Sequence, residues 1–129
     1  MIMNRESFSL VKRYVVLGGG GHARTLIEIL TSAGGVIEAL VAPKLSLIPE
    51  FRTLKHLLND SDVNFYSAEQ VELVNAIGSL PNDEKLREKL FRRFKSEGYK
   101  FASVVSNAAI LSKYAALAEG VQILPAATL

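Results

Sequence analysis

Residues 15–30 read VVLGGGGHARTLIEIL: a β-branched apolar run, four glycines at 18–21, a histidine, and a stretch with helical spacing. Residues 13–18 (RYVVLG) predict a short buried strand that ends in glycine. From His22 to about Ala33, the side chains of Leu26, Ile27, Ile29 and Leu30 fall on one helical face, and Gly34-Gly35 stop the helix. Residues 36–42 (VIEALVA) then read as a second strand closed by Pro43. A β–α–β unit of this kind requires parallel strands and a right-handed crossover. A strand passing through glycines into a helix leaves unpaired backbone N–H groups at the positive end of the helix dipole. Glycine also lets a ligand come close to them, so a phosphate-bearing ligand is expected on this loop.

Two kinds of ligand compete for it. Gly18, Gly20 and Ala23 satisfy the G-x-G-x-x-G/A spacing of nicotinamide-dinucleotide folds. That fingerprint also asks for an acid at the end of the second strand, where it holds the ribose. Here the strand runs out through Val41-Ala42-Pro43-Lys44 with no carboxylate. Lys44 is readable as a partner for a 2′-phosphate, yet no catalytic domain follows. His22 stands directly after the glycines. It is readable either as a helix-start residue packing on the loop or as a side chain touching phosphate or sugar. As a general base it lacks an identifiable partner carboxylate. Neither His22 nor His56 belongs to a spaced ligand cluster, so no metal site is expected.

Composition narrows the classes further. The chain has 129 residues, 49% hydrophobic and 22% charged, which suits one soluble domain with a modest core. A net charge of +2 is too small to suggest nucleic acid without a concentrated basic patch. There are no cysteines, which excludes disulfides and thiolate metal sites. The opening MIMNRESFSLVKR lacks the apolar core of a secretory signal. No stretch approaches the roughly 18 apolar residues of a membrane span. A cytoplasmic location is the expectation.

Beyond the second strand, KLSLIPEF reads as a loop, and RTLKHLLNDSD as a short helix or a strand with Asn59 in a turn. Residues 71–77 (VELVNAI) predict a strand. Asn82-Asp83 open a helix that ends at Gly98, with Leu86, Leu90, Phe91 and Phe94 as its buried stripe. Its Lys85, Arg87, Lys89, Arg92, Arg93 and Lys95 are most simply a solvated face. KFASVV supplies a last strand.

The tail follows a different period. Val105, Leu111, Leu117, Ile123 and Leu129 recur every six residues, and two positions before each stand Ser103, Ala109, Ala115, Val121 and Ala127. A small residue followed two later by an aliphatic, kept in register over successive hexads, is the signature of a hexapeptide-repeat β-helix. In that architecture three faces of one hexad each close a coil of about 18 residues, with the aliphatic pointing inward. Gly120 suits a turn between faces. The segment 103–129 spans only about one and a half coils, and repeat folds need several units. Further coils beyond Leu129 are therefore expected in the complete protein.

A glycine–histidine βαβ unit followed directly by hexads resembles the sialic acid O-acetyltransferase and UDP-amino-sugar N-acetyltransferase family of hexapeptide-repeat acyltransferases. The resemblance runs from about residue 13 to the end, on VVLGGGGHA, VNAIGSLPNDEKLREKLFRRFKSEGYKFASVV and NAAILSKYAALAEGVQIL. It implies an α/β fold: a small Rossmann-like parallel sheet over 13–102, then the first coils of a left-handed β-helix over 103–129, after an extension at 1–12. It further implies a UDP- or CMP-type sugar or sugar acceptor as ligand, acetyl-CoA as cosubstrate of the full-length enzyme, and a homotrimer. Gly18 belongs to the glycine cradle, and Gly20, Gly21 and His22 fall where the family contacts the sugar nucleotide. Gly78 and Ser79 match a second ligand-facing loop. Arg87 matches a recurrent arginine, in a ligand contact or a structural ion pair. The family's catalytic histidine lies on a later coil, so the resemblance places no catalytic residue within 1–129.

The chain also departs from that pattern. Ala42-Pro43 replace the aspartates that usually end the second strand, and Ser106-Asn107 replace a His-Pro pair before the first repeat. Ala118 stands for a repeat glycine, and Pro125 for a small flexible residue. These departures leave room for a non-catalytic nucleotide-sugar-binding or assembly module, and the dinucleotide reading remains a third alternative.

Overall fold

The computed structural model describes residues 11–44, 48–77, 81–106 and 119–123, with the backbone alone at 81–83. Strand β1 (Arg13–Leu17) leads into helix α1 (Gly21–Ser32) and back into β2 (Val36–Val41). A short 3₁₀ turn (Pro49–Phe51), strand β3 (His56–Leu57) and a second 3₁₀ segment (Asp60–Phe65) follow. Strand β4 (Glu72–Asn75) and helix α2 (Pro81–Ser96) complete the α/β part, and β5 (Val104–Val105) and β6 (Gln122–Ile123) make a separate pair.

The main sheet has the order β3-β2-β1-β4, and every pairing is parallel. Leu73 of β4 makes a further parallel bridge to Phe101. Its N–H donates to the Lys100 carbonyl (2.8 Å) and its carbonyl accepts from the Ala102 N–H (2.8 Å). The expected last strand KFASVV is thus divided. Phe101 lies along the outer edge of β4, whereas Val104 and Val105 leave for the second sheet.

Alternation along the strands sends side chains to two faces, and each face has its own helix. Val15, Leu17, Ala39, Val41 and Leu73 pack with Leu90 and Phe94 of α2 and with Tyr99. Tyr14, Val16, Leu40 and Val74 pack with Ala23, Leu26 and Leu30 of α1, joined by Ala102 and Val104. The result is a three-layer α/β/α arrangement in which β1 is buried on both sides.

One predicted core residue is misplaced. Leu90 and Phe94 are buried and Phe91 packs at the margin, but Leu86 is 41% exposed. Leu86 lies one helical turn, about 6 Å, before Leu90, outside the layer that the short strand β4 supports. The ambiguous stretch at 52–62 is settled as strand β3 followed by Asn59, which caps the second 3₁₀ segment: its N–H donates to the Asp62 carboxylate (3.3 Å).

In the second sheet Val104 faces Gln122 and Val105 faces Ile123, a separation of 18 residues. The same interval links the Phe101 N–H to the Glu119 carboxylate (2.9 Å). The offset equals three periods of the six-residue pattern in the sequence. Gly120 makes the preceding turn with φ of 77°. The remaining repeat positions, 107–118 and 124–129, lie outside the described residues.

Candidate functional site

The four glycines leave β1 at the carboxyl edge of the sheet, the end of an open parallel sheet at which ligands bind. They are not equivalent. Gly18 has φ of 119°, and a Cβ placed on it would stand 2.4 Å from the Ala76 carbonyl oxygen. Its N–H donates to the Val41 carbonyl (2.7 Å), while the Ala76 N–H donates to the Leu17 carbonyl (2.8 Å). Gly18 is therefore glycine because the chain threads between the ends of β2 and β4. A Cβ added to Gly20 or Gly21 would meet nothing within 4 Å, so these two residues face open space. Gly20 caps α1 without any side-chain hydrogen bond, and the first turn carries no acid. The backbone amides at this helix end are not answered by the helix's own side chains, which suits an anion.

His22, in the first turn of α1, is held from an unexpected direction. Its Nε2 lies 2.8 Å from Gln122 Oε1, on β6. Gln122 Nε2 in turn donates to the backbone carbonyl of Asn75 (2.8 Å), at the end of β4. Asn75 Nδ2 donates to the Arg87 carbonyl on α2 (3.1 Å), and Arg87 Nη2 donates to the Ile77 carbonyl (2.9 Å). A continuous polar chain thus joins α1, β6, β4 and α2 at the carboxyl edge of the sheet. A cleft of about 780 Å³ opens beside it, walled by Asn75, Arg87, Phe91, Phe101, Gly120 and Gln122. The glycines at 18–21 and His22 do not line this cleft.

Of the residues singled out from sequence, the structure brings His22 and Arg87 into one polar chain, with Gly20 and Gly21 immediately before His22 at the start of α1. Arg87 braces the backbone at Ile77, immediately before Gly78 and Ser79, which lie outside the described residues. Sequence reasoning missed Asn75 and Gln122. Asn75 had a signal, an amide at the end of the apolar run VELVNAI. Gln122 occupies an unremarked polar position between Val121 and Ile123 of a hexad. No group of His, Cys, Asp and Glu that would hold a metal exists among the described residues. No helix among them is long and apolar enough to cross a membrane.

A second polar clip fastens the coil. Glu119 pairs with Lys95 near the end of α2 (2.8 Å) and accepts from the Phe101 N–H. The Lys95 hydrogen bond, aided by the Phe101 amide, holds the Glu119 carboxyl below the usual carboxylate range.

An open four-stranded parallel sheet with helices on both faces and glycines at its carboxyl edge, next to a separate parallel strand pair, defines a Rossmann-like α/β protein. Solved structures narrow the class. The chain is similar to PerB from Caulobacter crescentus in complex with CoA and GDP-perosamine, with 27% identity and a TM-score of 0.75 over 92% of this chain and 54% of that one. A mutant of perosamine N-acetyltransferase from the same organism, also with CoA and GDP-perosamine, matches at 26% identity and a TM-score of 0.76, again over 92% and 54%. The acetyltransferase domain of PglB from Neisseria gonorrhoeae, in complex with acetyl coenzyme A, shares the fold at 19% identity and a TM-score of 0.76, over 92% and 55%. The chain spans about half the length of these structures. No family model and no curated protein matches the sequence.

Proposed function

We propose that this chain is the nucleotide-sugar-binding, N-terminal part of an acetyl-CoA-dependent sugar O- or N-acetyltransferase of surface-glycan synthesis, acting in the cytoplasm. The observation that carries the proposal is the likeness, over 92% of the chain, to an N-acetyltransferase crystallised with CoA and a nucleotide sugar. In this reading residues 13–102 form the sugar-nucleotide domain and 103–129 open a left-handed β-helix, which the 18-residue pairing offset of β5 and β6 supports. The phosphates lie on the amides of Gly20 and Gly21, His22 meets the ligand beside them, and Gly78 and Ser79 form the opposing loop. Arg87 acts by holding that loop's backbone through Ile77. The full-length protein assembles as a trimer through its β-helix.

Acetyl-CoA is assigned no site on this chain. The described residues of the repeat, 103–106 and 119–123, contain no histidine. In this reading the acyl-transfer chemistry belongs to later coils, as the family resemblance implies, and residues 13–102 position the sugar.

Calorimetric titration with GDP-, UDP- and CMP-sugars, and with NAD and NADP, tests the ligand class. Binding of a nucleotide sugar and none of the dinucleotides is expected. Binding of NAD or NADP alone would overturn the reading, and turnover of acetyl-CoA by residues 1–129 would overturn the division of roles. The alternative, a non-catalytic nucleotide-sugar module, draws on Ala42 and Pro43 following β2, where a nucleoside partner is lacking. It requires that the natural chain carry no later hexads with a histidine.

A further inference from the structure

The chain His22–Gln122–Asn75 determines which nitrogen of the histidine carries its proton. The Asn75 group facing Gln122 is a backbone carbonyl, which only accepts. The Gln122 atom 2.8 Å from it must therefore be the amide NH₂. This leaves the Gln122 carbonyl oxygen against His22 Nε2, also at 2.8 Å. A carbonyl oxygen only accepts, so His22 Nε2 is the donor. In the neutral imidazole Nδ1 then carries no proton, and it makes no hydrogen bond to any described residue.

We infer that Gln122 is a positioning residue that locks His22 as its Nε2–H tautomer, so that the ring meets ligand only through an accepting Nδ1. The inference rests on the nucleotide-sugar reading for the ligand's identity and on geometry alone for the tautomer. Its consequence is a division of labour at the cradle. The backbone amides of Gly20 and Gly21 are donors and take phosphate oxygens. A neutral Nδ1 repels such oxygens and selects a hydroxyl or amino donor of the nucleotide sugar. Because Gln122 lies on β6, the first coil has to be docked before His22 can discriminate in this way. The repeat thus contributes to recognition on the α/β part without itself touching the ligand.

The test is nitrogen-15 and proton NMR of the histidine side chains in the full chain, at about pH 8.5, above the usual imidazole range. His56 provides an internal reference, since its Nε2 donates to the Ala42 carbonyl (3.1 Å) far from Gln122. The expected spectrum shows a slowly exchanging Nε2–H at both histidines. In Gln122→Met the His22 Nε2–H resonance is lost and the His56 resonance persists, which also reports that the variant is folded. On titration with GDP- or UDP-sugar, His22 Nδ1 shifts as a hydrogen-bond acceptor and stays unprotonated. A proton on Nδ1 in the free chain or in the complex, or a His22 Nε2–H untouched by Gln122→Met, overturns the inference. Should the tautomer behave as described while no nucleotide sugar binds by calorimetry, the ligand reading fails and the positioning role of Gln122 stands.

Discussion

Strand β1 lies between β2 and β4 with Val15, Val16 and Leu17 almost wholly removed from water, whereas β5 meets one partner over two residues. Among the described residues, Val104 and two polar clips, Glu119 on Lys95 and Phe101 and Gln122 on His22 and Asn75, help to tie the pair β5–β6 to the rest. Burial is non-directional and shared among many neighbours, so the sheet holds even when one polar contact is lost. The polar clips on β5 and β6 are directional contacts, each worth about 1 kcal/mol net. The polar chain of the site crosses between these two regimes. A change that leaves the sheet intact is therefore able to release the coil, and with it the grip on His22.

The comparison breaks first in the core. Phe94 is fully buried between α2 and the sheet. Phe94→Ala is expected to cost about 3–5 kcal/mol, read as a fall in the urea midpoint. Gly18→Ala comes next. The new methyl collides with the Ala76 carbonyl and the backbone is left-handed, so a loss of about 3 kcal/mol is expected by the same measurement. Unchanged stability in Gly18→Ala would show that the glycine serves only ligand approach.

Loosening the coil has a smaller signature. Glu119→Gln removes the charge from a clip whose side chains are 36% and 39% exposed, so screening limits its effect to at most about 1 kcal/mol. The pH dependence has a definite sign. A carboxyl held low in the folded chain contributes fully above the ordinary carboxylate range and loses that contribution as pH falls through its own lower value. The stability difference between native chain and Glu119→Gln is thus expected near neutrality and closes in acid. A gap that widens in acid contradicts the clip. Smallest in stability is Gly21→Ala, where a methyl meets open space. It should change the unfolding free energy by no more than about 0.5 kcal/mol, yet weaken nucleotide-sugar binding about tenfold by crowding the phosphate.

Local signals made the sheet legible. The runs at 13–17 and 36–41 are apolar, bounded by glycine and proline, and too short for helices, and they became β1 and β2. The hexad period indicated a coil, and the interval between β5 and β6 equals three hexads. Leu86 escapes its expected burial because periodicity along a helix says which face is apolar but not how far the opposing layer extends. The site was only half visible. His22 and the glycines announce themselves by spacing, while Gln122 is 100 residues from His22 and reaches it through tertiary packing that no local pattern encodes. Arg87 illustrates the converse. Its sequence position was readable as a solvated face, a ligand contact or a structural ion pair, and the Nη2 bond to the Ile77 carbonyl is a role none of these named.

The central claim is that the amides of Gly20 and Gly21 cradle the phosphates of a nucleotide sugar. Backbone amide NMR of the chain during titration with GDP- and UDP-sugars addresses it directly. The account predicts saturable shifts of the Gly20 and Gly21 amides with a nucleotide sugar and none with NAD. Shifts at these amides with NAD alone, or a nucleotide sugar that binds while leaving them unmoved, would contradict it.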